Sequence, residues 1–234
     1  MSYHGARPTV VAWQPESARH PSEEPSVLIA EQLMLLCINP ERGDFETTRS
    51  HADINTLAAA ALILDLAEQR RLRFKRGHVA IEAMLPTTHP QVAAAAQVLA
   101  GPVNGLPLNA AIELLVARLN PISLHLLESL FRRDVLHRVR ASWLPWSALR
   151  FPLRSWQARN EAIAQLNRDS THGITVLRGL GLLVLTDMAG QLSTSLAGEF
   201  HEVAAQRLLH LAREQSEHSP DHEMLIEMRR CLLG

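Results

Sequence analysis

Residues 55–68 read NTLAAAALILDLAE, and this stretch decides the fold. Alanine and leucine are strong helix formers, and from Ala58 to Leu64 apolar side chains occupy every side of the predicted helix. A helix that is apolar all round has to be buried, so we expect a central helix surrounded by other elements. Asp53 is placed to cap its first turn, because a carboxylate there accepts bonds from free backbone N–H groups.

Further helices are predicted on both sides of this central helix. Apolar periodicity and turn signals place them at about 28–37, 90–100, 108–119, 121–136, 155–166, 173–189, 196–214 and 220–233. Two segments favour β-hairpins instead. These are residues 72–81 around the turn 75–78, and residues 137–151 around the bend 144–146.

These elements predict a mainly α protein, a single helical domain with a buried central helix and two short β-hairpins. Residues 1–25 are expected to form a flexible N-terminal arm, because four prolines interrupt a polar segment that has little to bury. The folded domain is therefore expected to span residues 26–234.

The composition of the 234-residue chain argues against several classes of protein. Apolar residues make up 47% and charged residues 20%, as in ordinary globular proteins. The net charge of −1 argues against strong nonspecific binding to nucleic acid. No apolar run approaches the ~20 residues that span a bilayer. With Cys37 and Cys231 as free thiols, we expect a cytoplasmic protein whose contact with membranes is peripheral.

The sequence holds no metal-binding motif. His201-Glu202 begins like a zinc-protease helix, but Ala205 stands where the second histidine is required. His218 and His222 have ligand spacing, but Pro220 interrupts them and no third ligand is evident. We therefore expect no metal and no cofactor.

Catalytic motifs are equally lacking. Gly179 and Gly181 lie in an apolar run without the third glycine of a dinucleotide fingerprint, which favours close helix packing. Asp65 and Glu68 are expected to be solvated charges at the end of the buried helix, and no serine or cysteine lies in a nucleophile signature. An enzyme is not expected.

One group of residues concentrates arginine and tryptophan. It comprises Arg132, Arg133, Arg138, Arg140, Trp143, Trp146 and Arg150. Two interpretations remain open: a solvated face with the tryptophans partly in the core, or an anion-binding surface.

A helix followed by a hairpin also occurs twice, which suggests a winged-helix DNA-binding regulator as the alternative function. The Ala- and Leu-rich composition of residues 55–68 disfavours that alternative, because a recognition helix needs outward polar side chains.

Several stretches resemble, in order, the Golgi phosphoprotein 3 family, which has many bacterial relatives. They are 29–36 (IAEQLMLL), 39–43 (NPERG), 64–72 (LDLAEQRRL), 85–88 (LPTT), 130–136 (LFRRDVL) and 150–153 (RFPL). The resemblance is clearest over residues 26–192. It implies one α-rich domain and, in eukaryotic members, a non-enzymatic adaptor that binds phosphatidylinositol 4-phosphate on Golgi membranes.

The resemblance also implies which residues would bind the lipid headgroup. The family uses a tryptophan before the central helix, an arginine within it, and an Arg-x-x-Arg pair that opens a later helix. Alignment through the matching stretches places Ser50, Ala59, Asn120 and Ser123 there, so none of the family residues is kept. The first hairpin, which has an apolar membrane-touching tip in eukaryotic members, is cut here to residues 75–78.

From these observations we expect a non-enzymatic binding or adaptor module. Its partner would be an anionic or phosphoinositide membrane surface, bound weakly, or another protein, whereas nucleic acid is not expected. The hypothesised lipid- or anion-binding residues are Arg132, Arg133, Arg138, Arg140, Trp143, Trp146, Arg49 and His125.

Overall fold

The structure, a computed structural model, describes residues 27–45, 51–82, 86–101, 105–141, 148–171, 177–196, 198–213 and 219–233. The predicted arm, residues 1–25, lies outside these ranges. Within them the chain forms a mainly α domain with two small antiparallel sheets, as predicted. The helices are α1 (Ile29–Cys37), α2 (Ile54–Glu68), α3 (Pro90–Leu99), α4 (Leu108–Leu119), α5 (Ile122–Arg132), α6 (Trp156–Thr171), α7 (Leu177–Met188), α8 (Leu192–Ser195), α9 (Glu199–Arg213) and α10 (Pro220–Leu233).

Helix α2 is the buried central helix that the sequence predicts. Every residue from Leu57 to Leu66 has no exposed surface, and the helix packs against α1, α3, α4, α5 and α7. Asp53 caps it as expected, because its carboxylate accepts the backbone N–H groups of Asn55 and Thr56. The apolar composition on all sides is thus satisfied by neighbours on all sides.

The charged end of α2 differs from the prediction. Asp65 is fully buried, and its carboxylate oxygens accept the N–H groups of Ile29 and Ala30 at 2.8 and 3.1 Å. Glu68 forms two bonds of 2.6 Å with the guanidinium of Arg178. The prediction of solvated charges is therefore wrong, because the start of α1 and a residue of α7 meet this end of α2.

Helix α7 approaches α2 closely at a glycine. A Cβ built on Gly181 would lie 2.6 Å from Leu64 Cδ1, so a larger side chain there would displace its neighbour. The Gly179–Gly181 run is buried within α7, in agreement with the helix-packing interpretation.

Both predicted hairpins are present. Strands β1 (Leu72–Lys75) and β2 (His78–Ile81) pair over four residues, and β3 (Leu106–Pro107) adds a third strand that was not predicted. Strands β4 (Val139–Arg140) and β5 (Leu149–Arg150) form the second hairpin, whose predicted bend at 144–146 lies outside the described residues.

Two predicted helices have different bounds in the structure. Helix α5 stops at Arg132 rather than near 136, because Asp134 adopts a left-handed conformation with φ of 61°. The helix predicted at 196–214 begins later, as α9 at Glu199, because Gly198 has φ of 53° just before it. Glycine tolerates this φ, so it ends one helix before the next begins. Helix α8, at Leu192–Ser195, lies before those predicted bounds and was not predicted.

No single helix in the described ranges is long and apolar enough to cross a bilayer. The consecutive helices Leu108–Leu119 and Ile122–Arg132, bent by 65° at the break between them, reach that length and apolar composition only when taken together.

Candidate functional site

The candidate site begins where α5 meets the second hairpin. After the left-handed turn at Asp134, buried Leu136 bridges to Leu153 and the chain enters β4. The Arg138 guanidinium lies 5.0 Å from the centre of the Phe131 ring, in cation–π geometry. This contact fixes the start of the hairpin against the last turn of α5, beside Arg132.

Three of the predicted arginines are exposed here. The side chain of Arg132 is 73% exposed and contacts only its i−4 neighbour Glu128, at 3.9 Å, among the ion pairs that the structure describes. Arg138 and Arg140 are also exposed. Charged side chains in such positions retain most of their hydration and remain accessible to an anionic partner.

Apolar side chains accompany these arginines on the hairpin. Val139 is 44% and Leu149 38% exposed. Val139 pairs with Arg150 and Arg140 with Leu149, so each face of the two-stranded ribbon carries one apolar side chain and one arginine. We call Arg132, Arg138, Val139, Arg140 and Leu149 the ribbon surface. Of the remaining predicted residues, Trp143, Trp146 and Arg49 lie outside the described ranges.

An acidic residue borders the ribbon surface. Asp44 lies 2.9 Å from the guanidinium of Arg42 and 3.7 Å from that of Arg150. The pair with Arg150 connects β5 to the turn that follows α1, where the Phe151 N–H also donates to the Gly43 carbonyl at 2.8 Å.

Arg133 turns away from its neighbour Arg132. Its guanidinium lies 2.6 Å from the carboxylate of Glu31, which is fully buried. Glu31 also accepts from the Ser129 hydroxyl at 2.9 Å and contacts the His89 ring at 3.1 Å. Burial alone would raise the pKa of Glu31, but the bond with His89 and the charge of Arg133 hold that pKa below its usual value. Arg133 therefore stabilises a buried carboxylate and is a weak candidate for an external anion.

The group of Glu31, His89 and Ser129 was not predicted, although Glu31 is the one charged residue in the apolar run 28–37. Its residue types resemble a serine-nucleophile site, but its geometry does not. A nucleophile and an acid must occupy opposite nitrogens of the histidine ring. Here Ser129 and Glu31 both contact Nε2, at 3.3 and 3.1 Å.

The positions that the resemblance assigns to the headgroup hold no cation in the described part. Ala59 is fully buried, and the Asn55 side-chain oxygen accepts both the N–H and the hydroxyl of Ser123. Asn120, at the end of α4, and His125, in the first turns of α5, are both exposed. Residues 51–59 and 120–125 contain neither lysine nor arginine.

No group of three or more His, Cys, Asp or Glu side chains suited to a metal ion occurs in the described ranges. His222 lies on α10, whereas His218 falls outside those ranges. The two cysteines described, Cys37 and Cys231, are free thiols, and burial raises the pKa of Cys37 to about 12.

The family model described as Golgi phosphoprotein 3 (GPP34) matches residues 29–230, which is most of the chain. No curated protein matches it.

Proposed function

Because the chain belongs to the Golgi phosphoprotein 3 family, we propose that it is a non-enzymatic module that binds anionic membrane surfaces through its ribbon surface. The observation that carries this proposal is the exposed set of Arg132, Arg138 and Arg140 beside exposed Val139 and Leu149. Arginines attract anionic lipid, and apolar side chains on a narrow ribbon enter the interface. Trp143 and Trp146, between the two strands in sequence, are of the type enriched at membrane interfaces.

The expected affinity is low. Each basic residue near an anionic leaflet contributes ~1 kcal/mol, so three arginines contribute ~3 kcal/mol. Arg133 does not add to this attraction because it is bonded to Glu31. Such binding weakens with salt, since the Debye length falls to about 8 Å at physiological ionic strength.

The same proposal predicts little choice among headgroups. Phosphoinositides are held by converging charge-assisted hydrogen bonds, which fixed arginines supply best. Ala59, Asn120 and Ser123 offer none at the positions where the family resemblance places them. Binding should follow total anionic lipid rather than phosphatidylinositol 4-phosphate.

Sedimentation with vesicles tests the proposal. Phosphatidylcholine vesicles would carry either phosphatidylserine or phosphatidylinositol 4-phosphate, matched for total charge, at low and physiological salt. We expect equal binding to both at low salt, a loss at physiological salt, and no binding by Arg138→Glu with Arg140→Glu. The control pair is Arg118→Glu with Arg230→Glu, at exposed positions on α4 and α10.

Two results would overturn the proposal. Equal binding by the ribbon variant and the wild type would exclude the ribbon surface. Selective binding of phosphatidylinositol 4-phosphate at physiological salt would require a headgroup pocket, and Arg49 and His125 would be mutated next. Duplex DNA serves as a parallel probe for the winged-helix alternative, which the complete burial of Leu57–Leu66 in α2 disfavours.

A further inference from the structure

The first hairpin carries a second concentration of positive charge. A surface pocket of about 390 Å³ lies against it, lined by Arg73, Lys75, Arg76, His78 and Ala80. We call these five residues the hairpin pocket. They share no residue with the ribbon surface. The described lining residues include no carboxylate, so the pocket combines a usable volume with charge of one sign.

The hairpin holds these side chains on one face. Leu72, Phe74 and Val79 point into the core and are at most 6% exposed. Because side chains alternate along a strand, Arg73 and Lys75 project from the opposite face of β1. The register pairs Lys75 with His78 and Arg73 with Ala80, so both strands supply the same outward face.

The turn of this hairpin places an arginine where one is uncommon. Arg76 and Gly77 have φ of 51° and 76°, the two left-handed positions of a two-residue hairpin turn. Asparagine or glycine is usual at the first position, since other side chains are disfavoured there. The His78 ring nitrogen Nδ1 lies 3.1 Å from the Arg76 carbonyl oxygen and supports the turn. A backbone conformation that disfavours arginine but holds one at the pocket rim points to a role for its charge.

Three acids lie near the pocket without lining it, because an adjoining cavity shares Arg73 and Lys75 with it and is lined by Glu68, Glu82 and Asp221. Glu82 Oε1 is 3.3 Å from Arg73 Nε, and their side chains are 48% and 61% exposed. Exposed pairs of this kind contribute little and exchange readily with other partners. Even with this pair formed, the charges of Lys75 and Arg76 have no acidic partner among the lining residues.

We infer that the hairpin pocket is a binding site for a phosphate-bearing anion. Converging lysine and arginine side chains form the short charge-assisted bonds that a phosphate group accepts. The phosphate can belong to a soluble ester or to a lipid headgroup, and the chemistry of the pocket is the same for both. This inference does not depend on the ribbon surface.

Titration with pyrophosphate tests the soluble source. Binding to the full chain would be followed by calorimetry and by backbone NMR signals, with the largest shifts expected for residues 73–80. Lys75→Glu should weaken binding at least tenfold. Arg118→Glu, an exposed charge reversal on α4, should change it less than twofold, and so should Arg138→Glu with Arg140→Glu.

Arg76→Asn separates binding from folding. Asparagine is favoured at this turn position, so the variant should keep or raise the melting temperature. It should nevertheless lose affinity for pyrophosphate at least threefold. A purely structural role for Arg76 predicts unchanged affinity instead, and that result would count against the site.

Vesicles with phosphatidic acid distinguish the lipid source. If Lys75→Glu lowers binding to them and pyrophosphate competes with them, the pocket takes a lipid headgroup. If pyrophosphate binds and vesicle binding is insensitive to Lys75→Glu, the ligand is soluble. The inference is overturned if millimolar pyrophosphate leaves the signals of residues 73–80 unmoved, or if Lys75→Glu binds pyrophosphate like the wild type. Vesicle binding lost by Arg138→Glu with Arg140→Glu tests the ribbon surface separately.

Discussion

Arg132 and Arg133 are adjacent in sequence but belong to two different regions. Arg133 points to the N-terminal end of α1 and forms a 2.6 Å ion pair with buried Glu31. Arg132 belongs to the ribbon surface, with a side chain that is 73% exposed and 3.9 Å from Glu128. We call Glu31, Asp65 and Arg133 the interior region, because their charges are satisfied by neighbouring groups within the fold. The charges of the ribbon surface are exposed to solvent.

This difference separates stability from binding. Removing one partner of a buried ion pair typically costs about 3–5 kcal/mol, because the other charge is left without compensation. An exposed pair contributes about 0–1 kcal/mol. The charges of Glu31 and Arg133 are therefore committed to the fold, whereas the arginines of the ribbon surface are exposed where a ligand can reach them.

The largest effect should follow from adding an unpaired charge to the interior. Leu62→Asp, at a fully buried position of α2, should lower the free energy of unfolding by more than ~4 kcal/mol. Asp65 tolerates the same environment because two backbone N–H groups bind it. Urea denaturation would measure the change, with Leu209→Asp, at a position 51% exposed on α9, as the control. Unfolding of Leu62→Asp near the wild-type midpoint would contradict the burial of α2.

The second effect compares the two arginines directly. Arg133→Met should cost about 2–4 kcal/mol, below the full penalty for a buried pair, since the Arg133 side chain is 34% exposed and His89 and Ser129 still contact Glu31. Arg132→Met should stay within ~0.5 kcal/mol of the wild type. Thermal and urea unfolding of both variants would measure the difference. Equal losses in the two variants would show that the regions are not distinct.

Much of the fold was predictable because its signals are local. The cap at Asp53 and the apolar run of α2 are encoded within a few residues, and so is α10, which begins at Pro220 as expected. Strand β3 was missed since two residues carry no periodicity, and it forms by pairing with β2. The end of α5 was misplaced because Leu130–Leu136 reads as helix until the left-handed turn at Asp134.

The interior charges were not predictable for a different reason. Asp65 meets the start of α1 across 36 residues, and Glu31 meets Arg133 across 102. A pattern within one helix does not reveal which neighbour covers a polar side chain. The exposed arginines were predicted as a group, but the sequence did not show that Arg133 leaves that group.

The third effect separates the two buried carboxylates by pH. Burial raises the pKa of Asp65 to about 7, and Glu68 adds to this, whereas the two backbone bonds and Arg178 oppose it. The folded state then holds a proton that the unfolded state releases above its ordinary pKa of 3.8. The stability that protonated Asp65 contributes is fully present below pH 3.8. It is lost as the pH rises towards 7, and the free energy of unfolding falls by at most ~1.4 kcal/mol per pH unit.

Asp65→Asn should remove this decline. We expect urea midpoints of the variant to fall less steeply than those of the wild type between pH 4 and about 7. Glu31 has the opposite sign, because its lowered pKa gives stability that is lost as pH falls. Glu31→Gln is therefore the matched control, and its urea midpoint should depend less on pH than that of the wild type at acidic pH. If the urea midpoints of Asp65→Asn and the wild type change with pH in parallel, the raised pKa of Asp65 is refuted.

The smallest effect on stability should come from the border of the ribbon surface, where binding should change instead. Asp44→Asn removes the acid that lies 2.9 Å from Arg42 and 3.7 Å from Arg150. These pairs are exposed, so the free energy of unfolding should change by less than ~1 kcal/mol.

Removing one negative charge beside the arginines should strengthen binding to phosphatidylserine vesicles at low salt by roughly two- to fivefold, which corresponds to ~0.5–1 kcal/mol. Glu113→Gln, at an exposed acid on α4 far in sequence from both basic surfaces, should leave vesicle binding unchanged. If both variants bind vesicles equally well, the gain in affinity reflects net charge alone. If only Asp44→Asn gains affinity, the ribbon surface is the part of the protein that contacts the membrane.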